Sequence, residues 1–166
     1  MINGAEKPRL WFWYGLVVAI IVLDQLSKYW VQAQFFEGQR VNLLAILDFT
    51  LVYNEGAAWS FLSDAGGWQR WLFTGISSVV SVVLVVWIYR LERGQALLMA
   101  ALTLILAGAV GNLIDRVMLG KVVDFVLFYY NDWYFPAFNV ADSAITLGAM
   151  LMIADIFVNQ PKADGL

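Results

Sequence analysis

The groups in this chain that could do chemistry are few and of restricted kinds. Its 166 residues include no histidine and no cysteine. That removes Ser-His-Asp and Cys-His nucleophile systems, thiolate metal sites and disulfides together. Carboxylates, amides, hydroxyls, Lys and Arg remain. Asp24, Asp115, Arg116, Asp124 and Asp142 all lie at or just outside the ends of apolar runs. An Asp at the centre of a membrane helix costs roughly 2.5–3.5 kcal/mol on insertion scales, so several ionisable groups at one level of a small protein need a reason.

Each group has a bland reading beside the chemical one. Asp24 and Lys28 stand four apart with the acid first, the favourable order for a helical ion pair, so mutual neutralisation competes with a catalytic role. Ser27 beside Lys28 does not make a Ser/Lys hydrolase, because adjacent helical positions do not face each other. Asn112 and Arg116 share a face; they suit either helix–helix glue with an interfacial anchor or recognition of a carboxylate or lipid phosphate. Ala107 and Gly111 form a small-xxx-small pair suited to close helix packing. With Asn139 as N-cap, Asp142 becomes the third helical residue, where acids commonly stabilise a helix end. Asp124 differs, since Val122, Val123, Phe125 and Val126 flank it and no partner is near in sequence. A carboxyl in apolar surroundings has a raised pKa. One carboxyl kept as the acid and another favoured as the anion is the recipe for an acid/base pair.

The elements that would hold these groups are membrane spans. The chain is 61% hydrophobic and 14% charged, against about 45–50% apolar and about 25% charged in soluble domains. Disorder is excluded by the same figures, and a net charge of −3 offers no basic face for nucleic acid. Trp71 to Tyr89 and Gly94 to Ile114 are charge-free and long enough to cross a bilayer. Leu10 to Leu23 reaches full length if Asp24 sits near the far interface and Lys28 snorkels outward. A fourth run, about 138–158, is broken only near its ends by Asp142 and Asp155. The expectation is one polytopic domain over 1–166, with spans at about 10–30, 69–89, 94–114 and 138–158. An even number puts both termini on one side. Lys7, Arg9, Arg90, Arg93 and Lys162 concentrate there, so the positive-inside rule assigns it to the cytoplasm. A cleaved signal peptide is the alternative for the N-terminal run, with Val31-Gln32-Ala33 as a loose cleavage site; the polar run from Asp24 to Lys28 favours a retained helix.

Two outer loops, about 31–68 and 115–137, are too long for bundle connections. Asp48 to Tyr53 reads as a strand, Asn54-Glu55-Gly56 as a turn, and Ala57 to Leu62 as a possible return strand. Val122 to Phe128 is a second β-prone run. The fold class is therefore mainly α and integral to the membrane: four transmembrane helices with a small extracytoplasmic β-sheet and loop cap.

The segments Leu23-Asp24-Gln25-Leu26-Ser27-Lys28, Tyr53-Asn54-Glu55-Gly56-Ala57-Ala58, Gly111-Asn112-Leu113-Ile114-Asp115-Arg116, Val122-Val123-Asp124-Phe125 and Phe138-Asn139-Val140-Ala141-Asp142-Ser143 follow in order. Together, over essentially the whole chain, they resemble the bacterial lipoprotein signal peptidases (signal peptidase II). The resemblance implies a membrane aspartyl peptidase that cuts the signal peptide from prolipoproteins just before a diacylglyceryl-modified cysteine. It implies Asp124 and Asp142 as the catalytic pair. Asn54, Gly56, Asn112, Arg116 and Asn139 fall at active-site and ligand-contact positions, and Asp24, Lys28 and Asp115 at supporting ones. Glu55 and Trp59 are conservative departures near the outer loop.

The same resemblance implies no cofactor or metal. Partners would be lipidated prolipoproteins and membrane lipids, the protein working as a monomer in the bacterial inner membrane with its site at the periplasmic interface. Two readings compete with it. A small proton or cation channel fits interfacial acids, although spans two and three carry no charge near their middles. A scaffold whose acids merely cap and pair predicts that neutralising Asp124 or Asp142 alters only stability.

Overall fold

The computed structural model describes residues 9–55, 68–92 and 94–159. In chain order these form α1 (Leu10–Gln34), β1 (Arg40–Leu44), β2 (Leu47–Asn54), α2 (Trp68–Arg90), α3 (Ala96–Met118), β3 (Val122–Tyr130), β4 (Trp133–Tyr134) and α4 (Val140–Val158). All four helices are long and apolar enough to cross a membrane. Helix is the economical answer to such runs, because hydrocarbon offers backbone N–H and C=O groups no partners of their own.

The central helix is α3. Over half of its most apolar window, 56%, is buried inside the protein, against 11–17% for the other three. It packs against α1, α2 and α4. One apolar core joins Val17 of α1, Leu84 and Ile88 of α2, and Met99, Leu102 and Leu106 of α3. Against α4 the approach is backbone-close. A Cβ at Gly108 would collide with the Ala141 carbonyl, and one at Gly111 would lie 2.8 Å from Asp24 Oδ2 and 3.2 Å from the Ala141 Cβ. Gly108 therefore carries the α4 contact, and Gly111 brings α1, α3 and α4 together. The small residues here do serve packing, and Gly108 adds to the expected pair.

The sheet is antiparallel with order β1-β2-β3-β4. Its two central strands coincide with the two β-prone runs. β1 and β4 leave no signal in the sequence: β1 is exposed along its whole length and β4 is two residues long, so neither carries a burial pattern. The return strand expected at Ala57 to Leu62 lies outside the described residues. Strand β2 is irregular between Phe49 and Val52 where it pairs with β3.

α1 continues to Gln34, four residues beyond the expected end of its span. The reason is a second core: Val31, on the extra turn, is buried with Leu51 of β2 and Val123 and Phe125 of β3. The sheet thus sits directly on the end of α1. The chain entering α4 is also stitched to β3, since Phe138 N–H donates to the Val126 carbonyl and Phe138 O accepts from Phe125 and Val126 N–H.

Candidate active site

Beneath the sheet, α1 and α3 form a layer of buried charge. Lys28 Nζ lies 2.8 Å from Asp24 Oδ2 and 2.9 Å from Asp115 Oδ2, and it donates to Asn112 Oδ1 at 3.0 Å. Lys28 is only 2% exposed. The expected snorkelling is therefore wrong: the side chain turns inward, where two carboxylates and an amide offset its desolvation. The four-residue spacing does make the Asp24–Lys28 pair, and Asp115 joins it from α3.

Above this layer Asp124, on β3, and Asp142, on the first turn of α4, share a set of asparagines. Asn139 is the N-cap of α4. Its Oδ1 accepts from Asp142 N–H at 2.9 Å, while its own N–H donates to Asp142 Oδ2 at 3.2 Å, a reciprocal capping box. Its amide group donates to Asp124 Oδ1 at 2.7 Å, with the Asn112 Oδ1 and Val123 carbonyl each at 3.2 Å. Two protons face three acceptors there, and the shortest contact goes to the carboxylate. Asn112 donates to Asp142 Oδ1 at 2.7 Å, and Asn54, at the end of β2, donates to Asp124 Oδ2 at 3.1 Å. Asp124 thus has the partners that its own flanks could not reveal: one comes from a paired strand and the other from a helix cap.

Asp124 is 1% exposed. Burial, followed by the negative charge of Asp142, pushes its carboxyl up to about 7; the hydrogen bonds from Asn54 and Asn139 and the charge of Lys28 pull the other way. A buried carboxyl that holds its proton near neutrality and a second, hydrogen-bonded carboxyl at a helix N-terminus can act as acid and base. Asp142 faces usable space, and Asp124 lies behind Asn54 at its edge: a cavity of about 700 Å³ is lined by Asn54, Asp142, Ser143 and, more widely, by apolar and aromatic groups such as Phe128, Trp133 and Leu147.

Arg116 lies on the last turn of α3. Its Nη1 donates to the Asn112 carbonyl at 3.4 Å, and its guanidinium stands 5.6 Å from the Phe73 ring centroid of α2. Asp24, Lys28, Asn54, Asn112, Asp115, Asp124, Asn139 and Asp142 form one continuous network, with Arg116 at its edge. Gly56 lies outside the described residues. Gln25, absent from the expected site residues, bonds both Asp24 and Asp115. The available signal was an amide at the same depth as Asp24 and Lys28, at the end of an apolar run.

Four membrane-length helices under a small sheet, with two carboxyls and their amides at the junction, define a polytopic membrane protein with an acid/amide site at one end of its bundle. The chain belongs to the signal peptidase II family and is a peptidase: the family model described as signal peptidase (SPase) II matches residues 16–158. It is 51% identical over 157 residues to the lipoprotein signal peptidase of Cellvibrio japonicus (strain Ueda107), covering 95% of this chain and 92% of that one. Identity to the lipoprotein signal peptidase of Pseudomonas aeruginosa (strain UCBPP-PA14) is 53% over 154 residues, covering 92% and 91%. Two solved bacterial membrane enzyme structures, both obtained by the in meso method, share the fold. One has a TM-score of 0.81 at 30% identity, covering 95% of this chain and 100% of that one; the other has 0.78 at 28%, covering 99% and 100%.

Proposed function

We propose that this protein is a membrane aspartyl endopeptidase that removes the signal peptide from diacylglyceryl-modified prolipoproteins, cutting before the lipidated cysteine. The observation that carries the reading is the joint holding of Asp124 and Asp142 by Asn139 beside a largely apolar cavity. The family's relatives named as lipoprotein signal peptidases support the substrate class. The protein would act as a monomer in the bacterial inner membrane, with both termini cytoplasmic and the site at the periplasmic interface, as the distribution of Lys and Arg suggests.

Asp142 is the initial base in this mechanism. It accepts hydrogen bonds from Asn112 and from Asn139 N–H, which favour its anion at a helix N-terminus. It takes a proton from water, whose oxygen attacks the scissile carbonyl carbon. Asp124 holds its proton near neutrality and donates it to the carbonyl oxygen as the tetrahedral intermediate forms. Collapse breaks the C–N bond, the leaving amine takes up the proton held by Asp142, and Asp124 recovers its own.

Cleavage of a diacylglyceryl-modified prolipoprotein in detergent or liposomes, read by gel shift, tests this reading. Wild type should cut, whereas folded Asp124→Asn and Asp142→Asn should lose roughly a thousandfold or more in rate. Normal cleavage by both variants would end the carboxylate mechanism. Lipidated substrate left intact by wild type would end the substrate assignment.

A further inference from the structure

We propose that Gln25 is a positioning residue for the candidate catalytic carboxyl Asp124, acting through Asp115. The inference rests on the two-aspartate reading above. Asp24 Oδ1 accepts the backbone N–H of Ala141 at 2.9 Å, and Asp115 Oδ2 accepts that of Val123 at 3.1 Å. Ala141 immediately precedes Asp142, and Val123 immediately precedes Asp124. Each supporting carboxylate therefore grips the main chain one residue upstream of a candidate catalytic carboxyl. They form two matching grips on elements that are otherwise unlike, a helix start and a strand.

Gln25 ties the grips together. Its Nε2 donates to Asp115 Oδ1 at 2.9 Å and to Asp24 Oδ2 at 3.1 Å, with the Gly111 carbonyl at 3.2 Å. Lys28 bridges one oxygen of each carboxylate. The division of labour follows from geometry. Asp24 is held at both oxygens without Gln25, by Lys28 and by Ala141 N–H. Lys28, a point charge, and Val123 N–H instead meet Asp115 at one and the same oxygen and leave it free to swivel. The Gln25 amide, bonded to the other oxygen of Asp115, fixes the plane of that carboxylate and hence where its second oxygen meets Val123. Gly111 lies inside α3, where its carbonyl has a helical partner four residues on, so the two amide protons can go to the carboxylates. Displacing a reacting group by about 1 Å can cost around a hundredfold in rate.

The test compares wild type, Gln25→Met and Gln25→Asn as purified full-length enzymes on lipidated prolipoprotein, below the unfolding midpoint of each. Gln25→Met keeps side-chain length and removes the donor. It should lower kcat per folded enzyme roughly 10- to 100-fold while KM stays within about twofold. Gln25→Asn retains the amide but withdraws it by one methylene; it should show a smaller kcat loss of the same kind and serves if Gln25→Met does not fold. In an Asp115→Asn background, Gln25→Met should cost far less than alone, because the carboxylate it orients is gone. Unchanged kcat in folded Gln25→Met, or a rise in KM alone, overturns the proposal. With Asp124→Asn run in parallel, wild-type cleavage by that variant removes the two-aspartate reading and this one with it. An inactive Asp124→Asn beside a fully active Gln25→Met removes only the role of Gln25.

Discussion

Asn139 and Asp124 meet at 2.7 Å across the junction between α4 and β3, and the opposite end of the same amide caps the helix that carries Asp142. One side chain therefore sets the start of a helix, the position of one carboxyl and the hydrogen-bonding of the other. The two functions should separate by substitution. Asn139→Ala removes both, and loss of the cap alone is expected to cost about 1 kcal/mol. Asn139→Ser keeps a capping acceptor but removes the donor to Asp124. It should unfold above Asn139→Ala yet cleave as poorly, a contrast readable by thermal unfolding beside the gel-shift assay.

The pH response of Asp124 has a definite sign. In an unfolded chain an Asp ionises near pH 3.9, whereas the folded Asp124 carboxyl does so at about 7. Folded protein thus binds the proton more tightly, and this group's contribution to stability falls as pH rises from about 4 to about 7, then levels off. Asp124→Asn cannot ionise. Its unfolding midpoint, measured against wild type, should move in the variant's favour between pH 5 and pH 8.

Activity should follow the same group. With protonated Asp124 as the acid, cleavage declines on an alkaline limb near neutrality. The hydrogen bond from Asn54 lowers that carboxyl's pKa, so Asn54→Leu should shift the alkaline limb upward while lowering the maximum. A limb that stays in place would separate Asn54 from the acid.

Lys28 is shared by two buried carboxylates, and removing one partner of such a cluster is costly because the others stay behind uncompensated. Lys28→Met should lower stability by about 3–5 kcal/mol. Adding Asp24→Asn should recover part of that loss, although the grip on Ala141 N–H weakens. Unfolding in mild detergent, monitored by circular dichroism, would record both steps.

Two glycines offer a controlled comparison. A Cβ at Gly108 runs into the main chain of α4, while one at Gly75 of α2 meets nothing within 4 Å. Gly108→Ala should destabilise by about 1–3 kcal/mol through overpacking and reduce cleavage, since α4 must shift and carries Asp142 with it. Gly75→Ala should be neutral or slightly stabilising in both measurements.

Much of this was legible in the residues themselves. Length and the absence of charge announced α2 and α3, and the Asn139–Asp142 spacing announced the start of α4. Alternation and β-branching announced β2 and β3. Position 28 was misread because Asp115, which draws it inward, lies far along the chain. For the same reason the partners of Asp124 were invisible: Asn54 and Asn139 reach it only through strand pairing and helix docking. The role of Gln25 is equally silent in the sequence, because Asp115, which it meets at 2.9 Å, comes from another helix far along the chain. The ordered motifs, rather than periodicity, linked these positions to a family.

The order in which the helices become available gives the Asp24–Lys28 spacing a further meaning. A chain threaded into a bilayer from its N-terminus presents α1 to lipid before Asp115, Asn112 or Ala141 has been made. During that interval the pair on adjacent turns, 2.8 Å apart in the finished protein, is the neutralisation that α1 can supply alone. When α3 and α4 arrive, the ammonium and carboxylate keep that contact and add Asp115, Asn112 and the Ala141 N–H to it. The contact that neutralises the first helix on its own is thus also part of the anchor of the site, and the last helix to arrive completes it.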